Sequence, residues 1–191
     1  VATRQSRRIG RLVEQLLEAA KLEAGQVTVN VEPFPIGELL QDVVQKFALV
    51  ARDRGVTLEL DTKAAATMVN GDIALLERVL DNLIDNALRH TPIGGRVTVQ
   101  SQPRGERIRI AVTDSGPGLT REEAERAFER FYRGDPGRST HSGQSGLGLA
   151  IVKSILELHG SNVAVKSQPG HGASFYFELP IVTQPPRTAP T

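Results

Sequence analysis

Apolar residues near the start of the chain return every three or four positions, which is typical of an amphipathic helix. The segment covers residues 3–24, with Arg and Glu on the opposite face and Gly25 as a C-terminal stop. Such a narrow stripe predicts packing on one helical partner, as in a coiled coil, although an ordinary domain helix is the alternative. The stripe consists of Ile9, Leu12, Leu16, Leu17 and Ala20.

After residue 26 the apolar period switches repeatedly between that of a strand and that of a helix. Helical spacing predicts helices that end near residues 53, 90 and 159, and Asp72 is the expected N-cap of the second. Thr120 and Glu123 have the spacing of a capping box for one further short helix. Alternation predicts strands at 27–31, 56–60, 96–101, 106–113, 162–167 and 173–179, with a short stretch at 67–69.

This order of elements predicts an α/β (α+β) two-layer sandwich. A mixed sheet carries helices on one face, preceded by the N-terminal coiled-coil-type helix. The expected organisation is a helical arm over residues 1–25, one domain over 26–180 and a Pro-rich disordered tail over 181–191. Because the sequence opens on Val1 rather than Met, we expect it to be a piece of a longer protein.

Composition excludes several classes of protein. The 191 residues are 39% hydrophobic and 24% charged, as in globular chains, and no apolar run approaches the roughly 20 residues of a membrane helix. Lys and Arg number 23 against 22 Asp and Glu, which argues against a broad nucleic-acid surface. The absence of cysteine excludes disulfides, thiol catalysis and zinc–thiolate sites.

The predicted helix that begins after Asp72 and ends near residue 90 carries the most informative polar residues. Asn82, Asn86 and Arg89 are expected together on one flank of its apolar face, with Asp81 and Asp85 on the other flank. Asparagine is a poor helix former, so two of them one turn apart indicate a role other than helix formation. An amide oxygen suits Mg²⁺ and an arginine suits phosphate. Polar residues that merely border solvent are the alternative.

Two glycine-rich segments complete the candidate site. Asp114 continues the buried parity of its strand, where a carboxylate needs a donor such as a purine amine, and Gly116 and Gly118 permit close approach to a flat ring. A plain turn is the alternative there. The run Gly143-Gln-Ser-Gly-Leu-Gly148 enters a helix, whose N-terminus favours phosphate, and the polar stretch 134–145 before it suits a lid.

Together these segments resemble the conserved boxes of sensor histidine kinases. In chain order the N, G1, F, G2 and G3 boxes are matched by Asn82-Leu-Ile-Asp-Asn86-Ala-Leu-Arg-His-Thr91, Asp114-Ser-Gly-Pro-Gly118, Phe128-Glu-Arg-Phe-Tyr-Arg133, Gly143-Gln-Ser-Gly-Leu-Gly148 and Gly170-His-Gly172. The resemblance covers about residues 30–180, the catalytic ATP-binding domain with its Bergerat two-layer fold. Residues 3–24 look like the second helix of the dimerisation and phosphoacceptor hairpin.

The resemblance implies a role for each matching residue. Asn86 would ligate the Mg²⁺ that accompanies ATP, with Asn82 beside it, and Arg89 would contact phosphate. Asp114 would accept a hydrogen bond from the adenine amine. Asn82 and Arg89 would then be the catalytic residues, and the other nucleotide contacts would come from His90, Gly116, Gly118, Arg130, Arg133, Gly146, Leu147 and Gly148.

The implied reaction is transfer of the γ-phosphoryl group of MgATP to a histidine on the dimerisation domain, followed by relay to a response regulator. The implied setting is a homodimeric kinase with this domain in the cytoplasm and a membrane-anchored sensor. None of the four histidines has the phosphoacceptor context, so we expect the chain not to label itself. Ala173 stands where the family often has Thr, with Ser174 as a doubtful substitute for its hydroxyl.

Two other functions stay open on the sequence. One is a hydrolysing ATPase of the topoisomerase, mismatch-repair or chaperone kind. Asn82 argues against it, because those proteins usually have a glutamate there and an amide cannot act as a general base. The other is a nucleotide-binding module without catalysis, against which the intact Asn86, Asp114 and G2 loop argue.

Overall fold

The computed structural model describes residues 2–63, 65–132 and 146–182. Helices and strands are interspersed along these ranges. The helices in these ranges are α1 (Ala2–Glu23), α2 (Ile36–Asp53), α3 (Ile73–His90), α4 (Arg121–Arg126) and α5 (Gly148–Leu158). The strands are β1 (Glu32–Pro35), β2 (Thr57–Thr62), β3 (Met68–Gly71), β4 (Arg96–Arg104), β5 (Arg107–Asp114), β6 (Ala164–Ser167) and β7 (Ala173–Pro180).

The main sheet is mixed and has the order β2-β4-β5-β7-β6. Only β2 and β4 run parallel, and the other neighbours are antiparallel. One face is covered, since α2 and α3 contact β2, β4 and β5, and α5 packs on α3. Buried residues alternate strictly along β5 and β7, and their inner side chains join the helices in one core. The predicted two-layer sandwich is therefore confirmed.

The first predicted strand is wrong. Residues 27–31 form no ladder, and the strand lies instead at β1, which pairs antiparallel with β3. Val31 is 57% exposed, so the alternation of valines did not mark a buried face. Pro33 and Pro35 have no N–H group, so they offer no donor along one edge of β1, and β1 pairs with β3 along its other edge. The prediction failed because it took the two prolines to lie between elements, whereas they lie inside a strand.

Other predicted boundaries shift by a few residues. β4 runs on to Arg104 and includes Pro103, which is paired with Ile108 on β5. Ile181, assigned above to the tail, forms a bridge with Val69, and the N–H of Val182 donates to Met68. The rest of the expected tail, 183–191, and the whole of the expected lid, 134–145, lie outside the described residues.

Asp72 fixes the start of α3 and joins three parts of the chain. Its Oδ1 accepts from the N–H of Leu75 at 3.1 Å, the predicted cap, and its Oδ2 accepts from the N–H of Asn30 at 2.9 Å. The N–H of Asp72 itself donates to Nε2 of His159, at the end of α5, at 3.0 Å. Nδ1 of His159 lies 2.8 Å from the carbonyl oxygen of Ile155. The N-terminus of α3 is thus tied to the C-terminus of α5.

Helix α1 lies against the domain through one edge of its apolar side, not through the middle of the predicted stripe. Ala19 and Leu22 are buried in the common core, and Glu18 accepts three hydrogen bonds from Arg78 on α3, the shortest 2.7 Å. By contrast, Leu16 and Leu17 of the predicted stripe are half exposed. The predicted helix is confirmed, and its apolar side is wider than the predicted stripe. None of the helices in the described ranges is both long enough and apolar enough to cross a membrane.

Replacing Leu22 with Ala should lower the free energy of unfolding by about 2–3 kcal/mol, since a buried side chain leaves a cavity. Leu17→Ala on the same helix is the matched control, because Leu17 is 56% exposed, and it should change stability by less than about 0.5 kcal/mol. Urea unfolding followed by circular dichroism measures both. Equal effects of the two substitutions would show that α1 does not pack on the domain as described.

Candidate functional site

Helix α3 presents its two asparagines on the border of its buried face. Asn82 and Asn86 are half-buried and one turn apart, while the neighbouring Leu83 and Ile84 are fully buried in the core. The side-chain Nδ2 of Asn82 donates to the carbonyl oxygen of Arg78 at 2.8 Å. This hydrogen bond fixes the amide, so that Oδ1 of Asn82 points away from its own helix.

The first turn of α5 faces the carbonyl oxygen of Asn82. A Cβ placed on Gly148 would lie 2.9 Å from Oδ1 of Asn82, so glycine is what permits this approach. Leu147 occupies the N-cap position and offers no side-chain cap. The start of a helix has backbone N–H groups without intrahelical partners and attracts anions. The asparagine flank of α3 and the start of α5 therefore lie side by side, as the sequence predicts.

Asp114 ends β5 on its inner face and is only 6% exposed. Its Oδ1 accepts from the N–H groups of Gly116, at 2.8 Å, and Ala173, at 3.3 Å. No described residue donates to Oδ2. Burial raises the pKa of this carboxyl above its ordinary value of 3.8, and the two backbone donors only partly offset that rise. A carboxylate held in this way can accept a further hydrogen bond from a ligand.

Glycines let three backbone segments close around Asp114. A Cβ on Gly116 would lie 2.6 Å from the carbonyl oxygen of His90, which places this loop directly against the end of α3. Gly118 and Gly172 both have positive φ angles, of 71° and 75°. A side chain on Gly118 would collide with the backbone of Gln168, and one on Gly172 with the backbone of Asp114. These two positions therefore require glycine for both space and conformation.

Ser167 is a supporting residue that the sequence analysis missed. Its Oγ accepts from the N–H of Leu119 at 2.7 Å and donates to the carbonyl oxygen of Gly172 at 2.6 Å. It thereby ties the loop after Asp114 to the hairpin between β6 and β7. A serine that ends a short strand gives no pattern of its own, because its importance rests on two residues that are distant in sequence.

The predicted division of charges on α3 needs a correction. Arg89 and Asp85 were assigned to opposite flanks, but Nε of Arg89 donates to Oδ2 of Asp85 at 2.7 Å. The residues are four apart, the spacing at which helical side chains meet, and the flank assignment overlooked this. Asp81 turns to the other side and bonds Lys46 of α2 at 2.7 Å.

The segment before the glycine-rich loop is anchored at both ends. Phe128 packs edge to face on Phe175 of β7, with ring centroids 6.1 Å apart. The N–H of Phe131 donates to the carbonyl oxygen of Gly146 at 2.9 Å, and Phe131 has a positive φ of 58°, rare for a non-glycine residue. Arg130 lies exposed between them. Arg133 and 143–145 of the glycine-rich run lie outside the described residues.

Two remaining candidates lie at the edges of the site. His90 is exposed and ends α3, beside Gly116. Ser174 lies on the opposite face of the sheet from Asp114, because its register partner is Thr113, with which it shares a hydrogen bond of 2.8 Å. Ser174 therefore does not replace the hydroxyl that Ala173 lacks.

Comparison with known proteins gives one family match. Residues 71–183 match the model described as histidine kinase-, DNA gyrase B-, and HSP90-like ATPase. Among curated proteins, the sensor-like histidine kinase SenX3 of Mycobacterium tuberculosis is 34% identical over 180 residues. That alignment covers 94% of this chain and 44% of the relative, so the chain spans less than half of its length.

Solved structures agree with the family match. Full-length ShkA in complex with AMPPNP is similar with a TM-score of 0.83 and 29% identity, over 96% of this chain and 38% of that one. The histidine kinase ThkA in complex with the response regulator TrrA is similar with a TM-score of 0.76 and 25% identity, over 94% of this chain and 49% of that one.

Substituting Gly172 with Ala should destabilise the fold by about 3 kcal/mol or more, because a Cβ there adds a backbone collision to the strain of a positive φ. Gly170→Ala separates the two costs, since Gly170 has a φ of 82° but open space around it. That variant should lose only about 1–2 kcal/mol. Urea unfolding measures both, and similar losses would contradict the close packing at Gly172.

Asp114→Asn should raise the free energy of unfolding at pH 7 in the absence of nucleotide. The raised pKa of Asp114 means that its charged form costs stability, a cost absent below its unfolded pKa and present once the pH exceeds its folded pKa. The advantage of the variant should therefore shrink as the pH falls toward about 4. Asp42→Asn, on an exposed position of α2, is the control. A variant less stable than wild type at pH 7 would refute this account.

Proposed function

The chain belongs to the family of histidine kinase-, DNA gyrase B- and HSP90-like ATPases, as the catalytic ATP-binding domain of a sensor histidine kinase, and from this membership we propose that it donates the γ-phosphoryl group of MgATP to a histidine. The observation that carries the proposal is the grouping of three features: the buried carboxylate of Asp114, the asparagine flank of α3 and the N-terminus of α5. Each suits a different part of one nucleotide.

Asp114 is the base-recognition group in this proposal. Its free Oδ2 accepts from the amine of adenine, and the glycines around it leave room for a flat ring beside the backbone. Since Oδ1 is already held by Gly116 and Ala173, the carboxylate needs no rearrangement when the base arrives. Guanine would present a carbonyl oxygen to the same carboxylate, so adenine is preferred.

Asn86, supported by Asn82, is the protein ligand for Mg²⁺. Amide oxygens are the hard ligands this ion prefers, and no group of three or more His, Asp or Glu in the described ranges could hold a metal. The donor set fits an ion that takes its remaining ligands from phosphates and water. When bound, Mg²⁺ neutralises phosphate charge and orients the phosphate chain.

The phosphates lie toward the start of α5 in this proposal. Gly148 has no side chain to separate them from Oδ1 of Asn82, and the N–H groups of the first helical turn attract negative charge. Arg130 and Arg133 approach from the lid side. Arg89 is the second catalytic residue, after Asn82. Its guanidinium is paired with Asp85 in the absence of nucleotide, and it contacts phosphate once it leaves that carboxylate.

Asn82 favours transfer to a protein over hydrolysis. A side-chain amide takes no proton from water, so the water that would compete for the γ-phosphoryl group is not activated. The acceptor nitrogen of a histidine needs no such help because it carries its own lone pair. Catalysis then rests on positioning the donor and the acceptor in line.

The wider assignment extends this reaction to the whole protein. The acceptor histidine lies on a dimerisation hairpin whose second helix is α1, within a homodimer. The phosphoryl group then passes to a response regulator, the kind of protein bound to the similar kinase ThkA. The domain works in the cytoplasm, attached to a membrane-anchored sensor, and it has no nucleic-acid partner.

Asn86→Ala should weaken MgATP binding by about tenfold or more, because a ligand of the ion is lost, and should leave the fold intact. Asn70→Ala is the matched control, since Asn70 is exposed on β3 at the far end of the domain, and its affinity should equal that of wild type. Calorimetric titration with and without Mg²⁺ measures both. Equal affinities would remove Asn86 from the metal site.

Incubation of the chain with radiolabelled ATP and a separately made phosphoacceptor hairpin, such as that of SenX3, tests the function. We expect acid-labile label on the hairpin, and none on the chain alone or in the reaction with Asn86→Ala. Release of free phosphate at a comparable rate would indicate a hydrolysing ATPase instead. Tight MgATP binding with neither product would indicate a module without catalysis. Labelling of the chain alone would overturn the assignment of the acceptor.

A further inference from the structure

The outer face of the main sheet is the side that bears Gln100, Ala111, Ser174 and Tyr176, opposite the helices. No helix in the described part of the chain covers it. A cleft of about 210 Å³ lies on this face, and its floor is Ala111. Ala111 is paired with Gln100 on one side and Tyr176 on the other, so a methyl group stands between two long side chains. The cleft is thus a consequence of one small residue in the middle of the sheet.

The charged groups of this face are unevenly paired. Arg96 bonds Glu59 at 3.1 Å, Arg109 bonds Glu178 at 2.7 Å, and Asp61 accepts from the amide of Gln100 at 3.2 Å. Three further cations line the cleft, and no carboxylate of the described residues forms an ion pair with any of them. They are Lys63, Arg104 and Lys166.

Arg104 donates to Gln102 at 3.3 Å and the ammonium of Lys166 lies 5.8 Å from the centre of the Tyr176 ring, so the interactions of these two cations are with neutral groups. The three cations are spread diagonally across the sheet. Across the sheet, Lys166 of β6 is in register with Ser174 of β7, which is in register with Thr113 of β5. Thr113 is in turn in register with Thr98 of β4, and Arg104 lies six residues further along that strand. At standard strand dimensions the two backbones are about 20 Å apart along the strands and about 14 Å apart across them. A compact anion such as a single phosphate cannot reach both. The spacing fits an extended ligand with several negative groups.

The cleft is better suited to carboxylates than to nucleotides. Tyr176 is the aromatic residue of the cleft, and the guanidinium of Arg109 lies 4.5 Å from the centre of its ring, so this ring is already stacked. A nucleic acid would gain little base stacking there. Asp61 and Glu178 interrupt the positive surface and would repel a continuous phosphate backbone, whereas a peptide can place neutral residues opposite them.

Residues 133–145 and 183–191 do not supply such a ligand. The sequence of residues 183–191 contains no Asp or Glu, and that of 133–145 contains only Asp135 among three charged residues. We propose that the outer face of the sheet binds an extended acidic segment of a partner protein, which lies diagonally across the cleft from Lys166 to Lys63 and Arg104. This surface is separate from the nucleotide site, because it lies on the other face of the sheet.

The test uses the 191-residue chain with Mg²⁺ and AMPPNP in excess, so that the nucleotide site does not compete for anions. The probe is a fluorescein-labelled twelve-residue peptide of alternating Glu and Ser, with a Gln–Ser peptide and a twelve-nucleotide oligothymidine for comparison. Fluorescence anisotropy at low salt gives the affinities. Amide NMR shifts of the unmodified chain map the site without any substitution.

Two triple variants with the same change in net charge separate a site from general attraction. In K63E/R104E/K166E the affinity for the acidic peptide should fall by at least about tenfold. In K21E/R52E/K153E, whose three residues are exposed on helices, it should change by less than about twofold. The peptide should shift the amide signals of Gln100, Ala111 and Tyr176.

Equal loss of affinity in both triple variants would overturn the proposal, because binding would then follow net charge alone. Peptide-induced shifts confined to α3 and α5 would overturn it as well. Tighter binding of oligothymidine than of the acidic peptide would replace it with a nucleic-acid surface. If K63E/R104E/K166E unfolds, K63Q/R104Q/K166Q and the NMR map decide the same question.

Discussion

The site depends on holding one carboxyl group, that of Asp114, inside the protein. A buried carboxylate is costly unless donors surround it, and here both fixed donors are backbone N–H groups, from Gly116 and Ala173. Backbone donors can reach Oδ1 only if the loop and the hairpin pass very close to the strand end. That requirement explains the glycines at 116, 118 and 172, whose missing side chains make the approach possible. The glycine pattern of this region is thus the consequence of a single buried carboxyl group.

A missing side chain also allows the close approach of α3 and α5. Asn82 and Gly148 meet because one contributes a carbonyl oxygen and the other contributes no side chain. The orientation of the two helices is held far from this contact, where the N–H of Asp72 meets Nε2 of His159. Polar residues at one end of the helix pair therefore preserve the geometry of the functional end.

Most of the fold could be predicted from sequence because burial imposes regular periods. The alternation along β5 and the wide apolar face of α3 gave the elements, and the parity of β5 correctly aimed Asp114 inward. The errors arose where burial was not the cause of the pattern. Val27, Val29 and Val31 alternate without a partner strand, whereas Pro33 and Pro35 occur inside one. Helical spacing brought Arg89 to Asp85, and the roles of Ser167 and His159 depend on contacts between distant residues.

The hydrogen bonds of His159 also decide its chemistry. Because Nε2 accepts a hydrogen bond from the backbone N–H of Asp72, the ring proton of the neutral imidazole belongs on Nδ1, which donates it in a hydrogen bond to the carbonyl oxygen of Ile155. Both nitrogens are then engaged, and neither has a lone pair to offer an electrophile. For the proposed transfer of a phosphoryl group to imidazole, this arrangement makes His159 inert as a nucleophile, although its side chain is not fully buried.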